Sequence, residues 1–287
     1  MKRGFYTIMS AQFFSSLADN ALFVAAVELL RTSGAPEWQR AALVPMFALF
    51  YVVLAPFVGA FADALPKGRV MFFSNAIKIV GCLMMLFGSH PLIAYAVVGL
   101  GAAAYSPAKY GILTELLPAS QLVKANGWIE GLTIASIILG VLLGGQLVGH
   151  HLSAALLSID IPMIDFGIHT AAEAAIAALI LVYALAAWFN TRIPHTGVEM
   201  RPLRQHPQRS ILASTLALLP DFWACNSRLW HDKLGQISLS TTTLFWGAGG
   251  NLKFIVLAWA GVALGYNTTQ ASALTGVVAI GTAVGAV

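Results

Sequence analysis

Five ionisable side chains stand inside long apolar runs: Asp19, Lys78, Lys109, Glu130 and Lys253. At the centre of a membrane helix such a group costs about 3 kcal/mol, so its presence marks a pathway, a relay or a paired ligand site. Gln12, Ser15, Ser16 and Asp19 recur at three- and four-residue spacing and form one polar stripe on one helix face. Lipid cannot satisfy that stripe, which must face protein or a water-filled cavity. Asn126, Glu130 and Thr133 make a second stripe, and Thr242, Trp246, Gly249 and Lys253 a third. The chemistry open to these groups is ion recognition, carboxylates for a cation and ammonium groups for an anion. No nucleophile–base pair accompanies them. His150 and His151 are adjacent and cannot share a helix face, so neither enzymatic nor metal chemistry is expected. Asp19 and Lys253 lie roughly 12 and 16 residues into their spans, a difference of about 6 Å at the helical rise, and are expected to pair. Plainer readings stand beside these. Asp19 can hold a structural network, Lys253 can snorkel outwards, and Lys109 can be an interfacial anchor. Lys78 has no obvious partner.

The elements that must position these groups are membrane helices. Of 287 residues, 58% are hydrophobic and only 10% charged, with mean hydropathy +0.78. Soluble domains carry about 25% charged residues. A span needs about 20 apolar residues, which places spans at roughly 7–30, 41–62, 70–89, 91–110, 124–149, 170–189 and 237–259, with an eighth starting near Gln270. Breakers such as "TSGAPEW", "ADALPKGR", "GSHP" and "LLPAS" separate them. The fold class is all-α and polytopic. The net charge of +4 is spread between spans rather than gathered in one patch, which argues against nucleic acid. Cys82 and Cys225 are far apart and make no disulfide framework.

Lys2, Arg3, Lys67, Arg69 and Lys124, and the basic run between the sixth and seventh spans, put the N-terminus in the cytoplasm. Three segments follow: 1–190, a six-helix transmembrane half; 191–228, a cytoplasmic central loop; and 229–287, the start of a second half that is apparently truncated. Within the loop, "ILASTLALLPDFWACNSRLW" can form an amphipathic helix on the membrane surface or a plain linker. Laying the seventh span on the first superposes Phe245 on Phe14, Asn251 on Asn20 and Phe254 on Phe23, as parallel repeats would. Gly140, Gly144, Gly145 and Gly149 form small-xxx-small pairs for close helix packing.

"GAFADALPKGR" supplies Gly59 for close packing, Asp63 at a helix end where it can cap a neighbouring helix N-terminus, and Lys67 and Arg69 to hold the short loop. This stretch resembles the signature of the major facilitator superfamily. "AQFFSSLADNALFVA", "APFVGAFADALPKGRVMFFSNAIKIVG", "VGLGAAAYSPAKYGILTELLPASQLVKANGWIEG" and "TTTLFWGAGGNLKFIVLAWAGVALG" resemble the bacterial lysophospholipid transporters within it. The resemblance implies a bundle of about twelve helices in two halves. It also implies movement of lysophospholipids, chiefly lysophosphatidylethanolamine, across the bacterial inner membrane for reacylation by a cytoplasmic acyltransferase. No cofactor is implied. The candidate substrate residues are Asp19, Asn20, Lys109, Asn126, Glu130 and Lys253, with Lys109 or Lys253 for the phosphodiester and Asp19 or Glu130 for the ammonium. Gly59, Asp63, Lys67 and Arg69 are the candidate gating motif. The competing reading is a proton-coupled multidrug or metabolite antiporter with Asp19 as the protonation site. Gly131, Gly140 and Gly144 fit that signature's spacing, but Gly145 and Val148 depart from it.

Overall fold

The computed structural model describes residues 3–158, 168–198, 200, 211–266, 274, 277 and 281. They form two compact units, Met1–Leu203 and Arg204–Val287. The first contains α1 (Arg3–Thr32), α2 (Glu37–Val53), α3 (Ala55–Ala64), α4 (Lys67–Leu86), α5 (Pro91–Leu116), α6 (Ala119–Val148), α7 (His150–Leu157) and α8 (Ala171–Thr191). The second contains α9 (Ile211–Leu216), α10 (Leu218–His231) and α11 (Lys233–Leu264). No strand occurs among the described residues. The segment α1 from Gly4 onwards, together with α4, α5, α6 and α8, gives five helices long and apolar enough to cross a membrane. The expected eighth span falls almost wholly outside the described residues.

The expected single span at 41–62 is instead two helices, α2 and α3, bent by 65° at Leu54. Pro56, in the first turn of α3, has no amide to give to the preceding turn and its ring crowds the carbonyl four residues back. Elsewhere local chemistry sets the boundaries. The Thr170 hydroxyl accepts from the Glu173 amide at 3.2 Å while Glu173 Oε2 accepts from the Thr170 amide at 2.9 Å, a capping box that starts α8. Asp232 caps α11 by accepting from the Gly235 amide at 2.8 Å, and Gly265, at φ 63°, ends it.

In the first unit α4 packs along α5 and α8, and α1 along α6 and α8. Gly140 and Gly144 allow the α1–α6 approach. A Cβ on either would sit 2.6 Å from the Leu17 carbonyl oxygen or 2.7 Å from that of Ala21. Two apolar clusters result. One gathers Leu22, Leu30, Leu43, Met85, Ile176 and Leu179, and the other Ile8, Met71, Ile112, Leu113 and Ile129. On α1 the residues between the clusters include Gln12 and Ser15, and on α4 Ser74, Asn75 and Lys78, all buried. The unit therefore carries a polar layer between two dry ones.

Candidate functional site

Asp19 stands at the centre of that polar layer, and its partner is Lys78. Lys78 Nζ donates to Asp19 Oδ2 at 2.7 Å and to Ser15 Oγ at 2.9 Å, and Ser15 Oγ donates to Asn75 Oδ1 at 2.8 Å. Tyr183 Oη donates to Asp19 Oδ1 at 2.7 Å. Three helices, α1, α4 and α8, thus meet at one carboxylate whose two oxygens are both engaged. The Lys78 side chain is 1% exposed and that of Asp19 18%, so each ion is sheltered and each needs the other. The Lys78 ammonium also lies 5.2 Å from the Tyr105 ring centroid and 5.5 Å from that of Tyr183. The expected partner, Lys253, lies on α11, and its side chain is outside the described residues. Lys78, unassigned from sequence, supplies the charge. Ser74, Asn75 and Lys78 share helical spacing on the third span, which is the sequence signal for it. Asn20 Nδ2 donates back to the Ser16 carbonyl at 2.8 Å within α1. The stripe reaches α6 as well, where Gln12 Nε2 donates to Thr133 Oγ1 at 3.3 Å and the Ser16 and Ser136 hydroxyls are 2.7 Å apart.

A second group lies on α5 and α6. Lys109 is 7% exposed, and its ammonium sits 4.3 Å from the centroid of the Tyr110 ring. Tyr110 Oη donates to Glu130 Oε1 at 2.8 Å. Tyr110, which the sequence reading passed over, therefore touches both the cation and the carboxylate. Asn126 is exposed one turn before Glu130 on the same helix.

The third group is at the α3–α4 corner. Lys67 Nζ donates to Asp63 Oδ1 at 2.5 Å and to the Ala62 carbonyl at 2.8 Å, with Glu115 Oε1 at 3.7 Å. Asp63 thus ties the corner through an ion pair and is not bonded to a helix N-terminus among the described residues. Arg69 is exposed, and a Cβ on Gly59 would meet nothing within 4 Å, so Gly59 makes no close helix contact there. Glu115 joins this group unforeseen, accepting from the Thr196 hydroxyl at 2.6 Å.

A bundle of apolar helices with a charged layer about halfway along α1 and α4 and a charge-locked corner is an arrangement that comparison with known proteins can place. The chain is 40% identical over all 287 residues to the lysophospholipid transporter LplT of Yersinia enterocolitica serotype O:8, and equally to those of Yersinia pestis strain Pestoides F and Yersinia pseudotuberculosis serotype O:3. Each match takes in the whole of this chain but 64% of the relative, so the chain spans just under two thirds of their length. The model of the Major Facilitator Superfamily matches residues 8–287. With nearly the entire chain inside that match, the protein is a multi-pass membrane protein that belongs to the Major Facilitator Superfamily.

Proposed function

We propose that the protein moves lysophospholipids, chiefly lysophosphatidylethanolamine, across the bacterial inner membrane to the cytoplasmic side, where an acyltransferase replaces the missing chain. The name carried by relatives at 40% identity supports the substrate class. The observation that carries the site is Lys109. Three lysines are buried among the described residues; Lys67 and Lys78 have carboxylates within 4 Å, whereas Lys109 has the Tyr110 ring. A buried cation with no carboxylate within 4 Å among the described residues favours an anion from outside the protein, and a phosphodiester meets that need. Glu130, held by Tyr110 Oη, is the acceptor for the ethanolamine ammonium, with Asn126 one turn away for the remaining headgroup oxygens. Asp19 and Asn20 organise the polar layer beneath them. Lys253 is a second candidate cation, and Gly59, Asp63, Lys67 and Arg69 are the gating motif. The N-terminus faces the cytoplasm.

Flux of lysophosphatidylethanolamine into proteoliposomes tests this reading. Lys109→Gln is expected to slow it at least tenfold, the loss of one charge-assisted contact of about 1.5–3 kcal/mol. Glu130→Gln is expected to weaken the preference for the ethanolamine headgroup over glycerol. An imposed pH gradient should leave the rate unchanged, whereas a proton-coupled antiporter would respond to it. Normal flux in Lys109→Gln would remove the site, and absence of flux in the parent would remove the substrate.

A further inference from the structure

Helix α10 has local reasons to form. Pro220 and Asp221 stand in its first turn, where a proline needs no amide partner and a carboxylate suits the helix dipole, and Arg228 and His231 stand in its last. Its residues divide by face. Leu219, Phe222, Trp223, Leu229 and Trp230 recur at three-, four- and seven-residue spacing around Asn226, while Asp221, Ala224, Arg228 and His231 take the opposite side. None of the 14 residues is buried, and those five apolar side chains are between 38% and 71% exposed. A contiguous apolar face of this kind marks an interaction surface. We propose that α10 lies in the headgroup zone of the lipid bilayer, with its polar face to water and its apolar face seated at the acyl boundary.

The neighbouring helix argues for lipid as the occupant. α11, which carries the seventh expected span, starts at Lys233, with only Asp232 between it and α10. The apolar run of that span begins near Ile237, four helical rises or about 6 Å further on. The headgroup zone on each side of the hydrocarbon is about 5–7 Å deep, so the last turn of α10 is tethered at that level. Nor does α10 prolong α11 out into water. Asp232 is extended, at φ −85° and ψ 129°, and turns the chain aside. Gly235, in the first turn of α11, lies so close to the Leu229 carbonyl oxygen that a Cβ there would collide with it. Gln236 Nε2 donates to the Trp230 carbonyl at 2.6 Å and ties the same corner. Trp223 and Trp230 suit the location, since an indole joins an apolar body to an N–H that the headgroup zone can satisfy. The polar face carries Asp221 and Arg228, one charge of each sign, so apolar area rather than net charge holds the helix there.

The test is nitroxide accessibility in the full chain, reconstituted in bilayers of phosphatidylethanolamine and phosphatidylglycerol. Cys82 is buried, so Cys225→Ser clears the background. Single labels at Phe222→Cys, Asn226→Cys and Leu229→Cys read the apolar face, and labels at Ala224→Cys and Arg228→Cys the polar one. Molecular oxygen partitions into lipid, whereas a nickel chelate stays in water. The ratio of oxygen to nickel accessibility is expected to be severalfold higher on the apolar face than on the polar face. Asn226→Cys keeps all five apolar side chains, so it decides the matter should Phe222→Cys or Leu229→Cys fail to fold. Phe222→Asp together with Leu229→Asp is expected to move the Asn226 label to the nickel-accessible pattern. Nickel access on both faces would make α10 a linker in water. Low access to both reagents at Asn226, with an immobilised spectrum, would mean that protein covers the face, either a second copy or another part of the chain. Each of those results overturns the proposal, as does an Asn226 label that the double substitution leaves in lipid.

Discussion

Asp19 is tolerated between two apolar layers because Lys78 and Tyr183 occupy its two oxygens. Removing one member of such a pair strands the other, whereas removing both can be close to neutral. Asp19→Asn alone is therefore expected to destabilise the protein by about 3 kcal/mol, with Lys78 left 1% exposed and uncompensated. Adding Lys78→Met should restore most of that loss. Melting temperatures of the two single variants and the double variant in detergent close the cycle; strictly additive effects would show that the pair is not coupled. The carboxylate's importance was legible in the sequence, since a charge on a polar stripe at mid-depth has few explanations. Its partner was not. Spacing gives the face and depth of each helix but not which helices are neighbours, and both Lys78 and Lys253 satisfy a depth criterion. The same gap hid Tyr110, Tyr183 and Glu115, whose residue types are ordinary in such helices and whose roles arise only from what faces them.

Helix existence followed from apolar run length, and six of the seven complete spans read from the sequence fall on single helices of similar bounds. The exception is the bend at Leu54, where Pro56 was visible but a proline inside a span does not by itself tell a kink from a break. Glycines show the same limit on α6. Gly140, Gly144 and Gly145 look equivalent in sequence, yet a Cβ at Gly140 or Gly144 collides with the α1 backbone, whereas at Gly145 or Gly131 it meets nothing within 4 Å. The antiporter-like spacing of Gly131, Gly140 and Gly144 thus includes two positions that serve helix packing and one that does not. Alanine substitution should change sign along this one helix. Gly140→Ala overpacks the α1 contact and is expected to cost about 1–3 kcal/mol. Gly131→Ala gains up to about 1 kcal/mol of helix propensity. Thermal melting of the two variants decides it, and equal effects would mean that α1 and α6 do not approach at Gly140.

At the scale of the molecule the open question is how many times the first unit crosses the bilayer. Between Ser33, after α1, and Thr191, at the end of α8, the candidate spans are α4, α5, α6, α8 and the bent pair α2–α3, α7 being too short to cross. If the pair is one span the chain crosses five times there, an odd number that puts Ser33 and Thr191 on opposite sides; if it re-enters, the crossings are four and the two residues share a side. Charge favours the span, because Lys2 and Arg3 before α1 and Arg192, Arg201, Arg204 and Arg209 after α8 share the cytoplasmic side only if the crossings between Ser33 and Thr191 are odd in number. Both probe positions are exposed. Of the native cysteines Cys82 is buried and Cys225 exposed, so Cys225→Ser clears the background. In that background Ser33→Cys is expected to react with a membrane-impermeant maleimide in intact spheroplasts, and Thr191→Cys only after the membrane is opened. Labelling of both from the same side would make α2–α3 a re-entrant hairpin. The reverse pattern would keep the five crossings and invert the protein, placing Lys67 and Arg69 on the outer face.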